Sequence, residues 1–173
     1  MEQLQIYDAV MTALMEGKQL LAFIDSKAGQ GKTFVLQTIV DRLCSMDLIF
    51  LPTAISAFAA QCYEGGRTTH STFKVLTSLP VPNPVSCNSQ VPINDNSELL
   101  VSPIQANNPH GQLLREVAVI IWDEAPMANR AILACIEETC QKVMCNDSPF
   151  RGKIILLVGD FCQTCPVIRG ASK

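Results

Sequence analysis

The sequence predicts an α/β domain: a mostly parallel central sheet with helices on both faces. Three observations lead there. Apolar runs of strand length recur at residues 20–24, 117–122 and 154–158. Each run empties at its C-terminal end into a polar cluster. These are Ala28-Gly29-Gln30-Gly31-Lys32-Thr33, Asp123-Glu124 and Gly159-Asp160-Phe161-Cys162-Gln163. Helical periodicity fills the intervals, and strand–helix alternation makes neighbouring strands parallel. Open parallel sheets bind ligands beyond the carboxyl ends of their strands, so the three clusters are expected to converge.

Taken in order, residues 2–15 place Leu4, Tyr7, Val10 and Leu14 near helical spacing, a first helix. The first strand, the glycine loop and a helix over 32–44 follow. Residues 48–51 read as a second strand ending at Pro52-Thr53, and 54–63 as a helix that Glu64-Gly65-Gly66 breaks. Between 79 and 111 the character changes. Pro80, Pro82, Pro84, Pro92, Pro103 and Pro109 lie among Asn and Ser without periodicity, which predicts a mobile insertion leaving the core. Order is expected to resume over 112–122, with a helix near 129–144 and the last strand at 154–158. No internal repeats are visible.

A chain of 173 residues is one domain or a piece of a larger protein, and 48% hydrophobic content with 17% charge suffices for a full core. The formal net charge of −3 gives no bulk attraction to nucleic acid, so any such contact must be local. Neither a secretory signal nor an apolar run of membrane-spanning length is visible, so no membrane partner is expected. Among the eight cysteines, Cys135, Cys140 and Cys145 recur every five residues on a predicted helix, which turns each thiol off the previous one's face. Cys162 and Cys165 form a lone C-x-x-C, and His70 and His110 are isolated. Free thiols in a reducing compartment are therefore expected, rather than zinc or disulfides.

The clusters have chemistry suited to a nucleoside triphosphate. Two glycines let the backbone curl with its N–H groups inward, so loop and helix N-terminus can hold an anion. Lys32 can set a compact positive charge between the terminal phosphates, and the Thr33 hydroxyl can ligate Mg²⁺. Asp123 can bind the Mg²⁺ shell while Glu124 orients and deprotonates the attacking water. One blemish is Ser26, where the motif G-x-x-x-x-G-K-[ST] has its first glycine. The competing reading makes each cluster a capped strand end, with Asp123 and Asp160 as caps.

More of the chain is recognisable. Thr53-Ala54-Ile55-Ser56-Ala57-Phe58-Ala59-Ala60 and the following Gly65-Gly66-Arg67-Thr68-Thr69-His70-Ser71-Thr72-Phe73 closely resemble motif Ia and its downstream segment in the Pif-family DNA helicases, including those carried by Helitron elements. Ile121-Trp122-Asp123-Glu124-Ala125-Pro126-Met127 is similar to that family's Walker B motif, and residues 159–167 to its motif III. Glu2-Gln3 resembles its adenine-reading glutamine motif. The resemblance covers nearly all of the chain outside 79–111.

That resemblance implies a RecA-like P-loop NTPase domain, the first lobe of a monomeric superfamily 1 helicase moving 5′ to 3′. It implies ATP as substrate with Mg²⁺, bound across residues 28–33, and single-stranded, forked or structured DNA as partner. A second RecA-like lobe would supply the transition-state arginine, a contribution of roughly 10³-fold or more. Work on nuclear or mitochondrial DNA follows, in repair, recombination or telomere maintenance. Gln3 would read adenine, or else face water at a helix start. Gln163 would sense the γ-phosphate, just beyond a strand expected beside the phosphate-loop strand. Thr53, His70, Ser71 and Phe73 resemble the family's single-strand contacts, with hydroxyls for phosphates and rings for bases. The alternatives are a core ring for Phe73 and a turn-stabilising role for His70. Cys162 and Cys165 depart from the family, where many relatives carry an arginine or another large residue and a leucine. Two other functions compete: a degenerate module that binds nucleotide or DNA without hydrolysis, and a nucleotide switch unrelated to DNA. The second has no need of residues 65–73.

Overall fold

The computed structural model describes residues 3–25, 27, 29–77, 100–145 and 149–164. Helix α1 (Gln3–Glu16) leads into β1 (Leu20–Asp25), the glycine loop and α2 (Lys32–Ser45). Then come β2 (Phe50–Ala54), the short α3 (Ala57–Ala60), β3 (Arg67–Thr68) and α4 (Thr69–Thr72). Strands β4 (Leu76–Thr77) and β5 (Leu100–Val101) precede α5 (Pro109–Glu116), β6 (Val119–Asp123), α6 (Arg130–Met144) and β7 (Ile154–Gly159). The main sheet has five strands in the order β1-β7-β6-β2-β3, and every pairing is parallel.

Alternation along the strands explains why helices cover both faces. Val119 and Ile121 of β6, with Ile154, Leu156 and Val158 of β7, point to a cluster shared with Val35, Leu36, Ile39 and Leu43 of α2 and Val10 of α1. Ile120 and Trp122, with Ile155, point the other way, onto Leu114 of α5 and Ile132, Ile136 and Val143 of α6. Successive strand residues face opposite sides, so a continuous apolar run is what a doubly covered strand requires. Each such side chain, fully buried, contributes roughly 1.5–3 kcal/mol, and that sum orders the strands whose ends carry the polar clusters.

Four expected boundaries shift. The second strand runs Phe50–Ala54, starting two residues later than the expected 48–51 and ending three later, and contains Pro52. β3 pairs only with Thr53 and Ala54, so on that side β2 behaves as an edge strand at Pro52, where a missing N–H is tolerated. The helix expected over 54–63 shrinks to Ala57–Ala60, because Ser56 takes an extended backbone and caps it, its hydroxyl accepting from the Ala59 N–H. The strand expected at 117–122 starts at Val119; Val117 instead closes α5. The final part of the supposed insertion belongs to the fold. β5 pairs antiparallel with β4, Ile104 is buried beside Phe73, and Asn108 caps α5 through the Gly111 N–H at 2.7 Å. Positions 79–99 of that segment lie outside the described residues.

Candidate functional site

At the end of β1, Gly29 and Gly31 hold φ of 81° and 79°, values that glycine alone adopts freely. Gly31 starts α2 without any side-chain cap, so the first N–H groups of a fourteen-residue helix meet the loop directly. That is the condition for anion binding at a helix N-terminus. Within the loop, the Lys27 N–H donates to Gln30 Oε1 at 3.0 Å, and Lys32 Nζ donates to the Lys27 carbonyl at 3.2 Å. Thr33 is exposed on the first turn. Ala28, counted among the loop's nucleotide-binding positions, and Ser26 both lie outside the described residues.

Gln3 is placed against this loop. Its Nε2 donates to the Gln30 carbonyl at 3.2 Å, and any Cβ added to Gly31 would run into the same amide. A cavity of about 880 Å³ opens there, lined by Gln3, Ile6, Phe23, Asp25, Gly31 and Lys32 among others. That volume suits a small organic ligand, with apolar walls and the loop at one end.

The acidic pair is on the same edge. β7 lies between β1 and β6, with Asp25 opposite Gly159 and Trp122 opposite Leu157. The end of β1 and Asp123 are therefore two strand spacings apart, about 10 Å. Close approach is enforced at Gly159, where a Cβ would strike the Pro126 ring behind the acidic pair. Glu124 adopts φ 56°, a left-handed conformation costing on the order of 1–2 kcal/mol for a non-glycine residue. Its N–H donates to Asp123 Oδ1 at 2.8 Å, which helps hold the kink. The kink sends its side chain toward α3, where Oε2 accepts from the Ser56 N–H at 3.0 Å. The other oxygen of Asp123, Oδ2, accepts from the Tyr63 hydroxyl at 2.8 Å. Burial, then the Asp123 charge, push the Tyr63 pKa up, so the phenol stays protonated and remains the donor.

Gln163 ends a 3-10 turn just beyond β7, the strand that does lie beside β1. Asp160 serves as a cap, accepting from the Cys162 N–H at 2.9 Å. The turn is tied to β1 by the Phe161 N–H on Asp25 Oδ1 at 3.4 Å and by the Phe23 and Phe161 rings, 4.7 Å apart. Gln163 and Cys162 are exposed on it; Cys165 lies outside the described residues.

The four expected DNA contacts divide. His70 and Ser71 are exposed on α4. That turn is fixed by the Thr68 hydroxyl, which accepts from the Ser71 N–H, and by the Thr69 hydroxyl, which donates to the Ala54 carbonyl at 3.0 Å. Thr53 and Phe73 are instead fully buried. The Thr53 hydroxyl is fully buried and donates to the Ile121 carbonyl at 3.1 Å, so it is spent inside the sheet. The Phe73 ring is also fully buried, packed with Ile104, Leu114 and Trp122, and has no face left to stack a base. Phe73→Ala should cost about 3–5 kcal/mol of stability by denaturant titration, without weakening DNA affinity of the folded protein.

Sequence reasoning missed Tyr63 and the Ser56 N–H. The only sequence signal for Tyr63 is one phenol in an alanine-rich segment just before Glu64-Gly65-Gly66.

A family model described as PIF1-like helicase matches residues 1–173. The chain is similar to the ATP-dependent DNA helicase RRM3 of Saccharomyces cerevisiae, 30% identical over 159 residues, covering 90% of this chain and 20% of that protein. It is 28% identical over 163 residues to the ATP-dependent DNA helicase PIF1 of Homo sapiens, covering 94% and 22%. Among solved structures, Bacteroides Pif1 in complex with ADP-AlF4 superposes with a TM-score of 0.64 at 25% identity, over 98% of this chain and 34% of that one. Bacteroides Pif1 bound to ssDNA gives 0.62 at 26%, with the same coverage. The chain thus spans about a fifth of the length of these curated relatives.

Proposed function

The chain belongs to the PIF1-like helicase family, and on that basis we propose that it is the first motor lobe of an ATP-dependent DNA helicase working 5′ to 3′. The observation that carries this reading is the convergence of three loops on one sheet edge. The Lys32 loop, Asp123-Glu124 and the Gln163 turn follow β1, β6 and β7, which are adjacent and parallel. ATP is the proposed substrate, with its phosphates on the α2 N-terminus and its base toward Gln3 and the cavity beside α1.

The donor set suits Mg²⁺: a threonine hydroxyl and a carboxylate are hard oxygen ligands, and both are accessible at this edge. When bound, the ion would neutralise charge on the triphosphate. Thr33 and Asp123 would hold it. Glu124, one oxygen committed to the Ser56 N–H, keeps the other for the proton of the attacking water. Gln163, exposed on the turn that Phe161 ties to Asp25, would contact the γ-phosphate and pass that contact to the turn. His70 and Ser71, at the carboxyl end of β2, would meet single-stranded DNA. A second RecA-like lobe would close on this edge and bring the arginine that completes the transition-state site. The proposed place of work is nuclear or mitochondrial DNA, on forked or structured substrates.

The decisive test uses the full-length protein and measures ATP turnover with and without single-stranded DNA, then unwinding of a forked duplex. Turnover stimulated tenfold or more by DNA, with unwinding of the fork, is expected. ATP binding without turnover under either condition would favour a degenerate binding module. Turnover indifferent to DNA would favour a nucleotide switch.

A further inference from the structure

We propose that Tyr63 is a positioning residue for Asp123, and that its hydroxyl sets how tightly the protein binds nucleotide together with Mg²⁺. The proposal rests on the reading that Asp123 faces the hydrated metal. Tyr63 is 6% exposed, and its ring packs in the apolar cluster built by α1, α2 and the sheet. The ring is thus locked by its surroundings, and its hydroxyl meets Asp123 Oδ2 at 2.8 Å.

What that bond does follows from carboxylate mechanics. The terminal torsion of an aspartate is broad, so the plane of the group is set by its partners and not by its rotamer. Asp123 has two described partners: the Glu124 N–H on Oδ1 and the Tyr63 hydroxyl on Oδ2. Each oxygen offers two acceptor positions, so one on each remains for water molecules around a cation. Remove the phenol and only one anchor, on the neighbouring residue's backbone, still fixes the plane. Partners of this outer kind commonly change metal affinity or activity by 10- to 100-fold when lost.

The same segment reaches the other acid. Ser56, capping α3 at its start, spends its own N–H on Glu124, while Tyr63 lies just past the end of the helix. Residues 56–63 therefore hold both carboxylates, one from each end. Tyr63 is the member that a single oxygen deletion can test, because phenylalanine fills the same apolar cluster.

The experiment is Tyr63→Phe in the full-length protein, with binding of a fluorescent ATP analogue titrated against Mg²⁺ and repeated in EDTA. A rise of about tenfold in the Mg²⁺ concentration for half-saturation, with EDTA binding unchanged, is expected. A variant matching wild type in both conditions overturns the role of Tyr63 and leaves the site reading standing. Equal weakening with and without Mg²⁺ also overturns it, since a structural defect would do that. If wild-type binding itself ignores Mg²⁺, the assignment of Asp123 fails and the Tyr63 proposal falls with it.

Discussion

Lys32→Ala in the full-length protein is expected to abolish ATP-driven unwinding while leaving the fold intact. The side chain lies at the start of α2, half-buried, with Nζ bonded to the Lys27 carbonyl across the loop. Its removal takes away this loop hydrogen bond and leaves the apolar clusters untouched, so stability should shift by about 1 kcal/mol. Catalysis is another matter. In phosphoryl transfer the protein works by placing fixed charge against the phosphate oxygens, and Lys32 is the cation proposed for that role. Losing one preorganised group of this kind costs on the order of 10²–10³-fold in turnover, about 3–4 kcal/mol of barrier. Weakened nucleotide binding adds to that. Thermal unfolding, nucleotide binding and fork unwinding measured on one preparation check the claim. Retained unwinding would remove the basis for placing ATP at this loop.

How much of this was legible in the sequence depends on whether the cause was local. The glycine loop was, because φ near +80° at Gly29 and Gly31 is a demand that the residue type itself records. The strands β6 and β7 were, because double-sided burial forces an unbroken apolar run. The position of β7 beside β1 was inferred from motif resemblance and is what the sheet has. Failures cluster where a distant partner decides. Alanine-rich 54–63 has helical composition, yet Ser56 is drawn into an extended cap and gives its N–H to Glu124, 68 positions away. Thr53 resembles a DNA contact of the family, and the bond of its hydroxyl to the Ile121 carbonyl, also 68 positions away, is invisible in the sequence. Tyr63 and Asp123 are 60 apart, and nothing in either neighbourhood announces the bond. Phe73 carried a real ambiguity between base stacking and core; Ile104, in a segment read as insertion, helps bury it. Proline content concealed that segment's closing part, since Pro109 begins α5 at a position where its missing N–H does no harm.

Glu124→Gln should separate binding from chemistry more cleanly than any other substitution in this site. Glutamine keeps the length of the side chain and a carbonyl oxygen, so it can still accept from the Ser56 N–H that holds Glu124 Oε2 at 3.0 Å. The left-handed turn at 124 is a backbone matter, supported by Asp123 Oδ1, and does not depend on the carboxylate charge. Geometry is therefore retained and only basicity is lost. ATP affinity should remain within about threefold of wild type, because the phosphate cradle and Asp123 are untouched, while turnover falls by about 10²–10⁴-fold, the range typical of a lost general base. Two measurements decide it: equilibrium binding of a fluorescent ATP analogue, and single-turnover hydrolysis with single-stranded DNA present. Binding lost in parallel with turnover would make Glu124 a structural link to α3. Turnover preserved would move the base elsewhere on the edge, with the tie to Ser56 left as a fold contact.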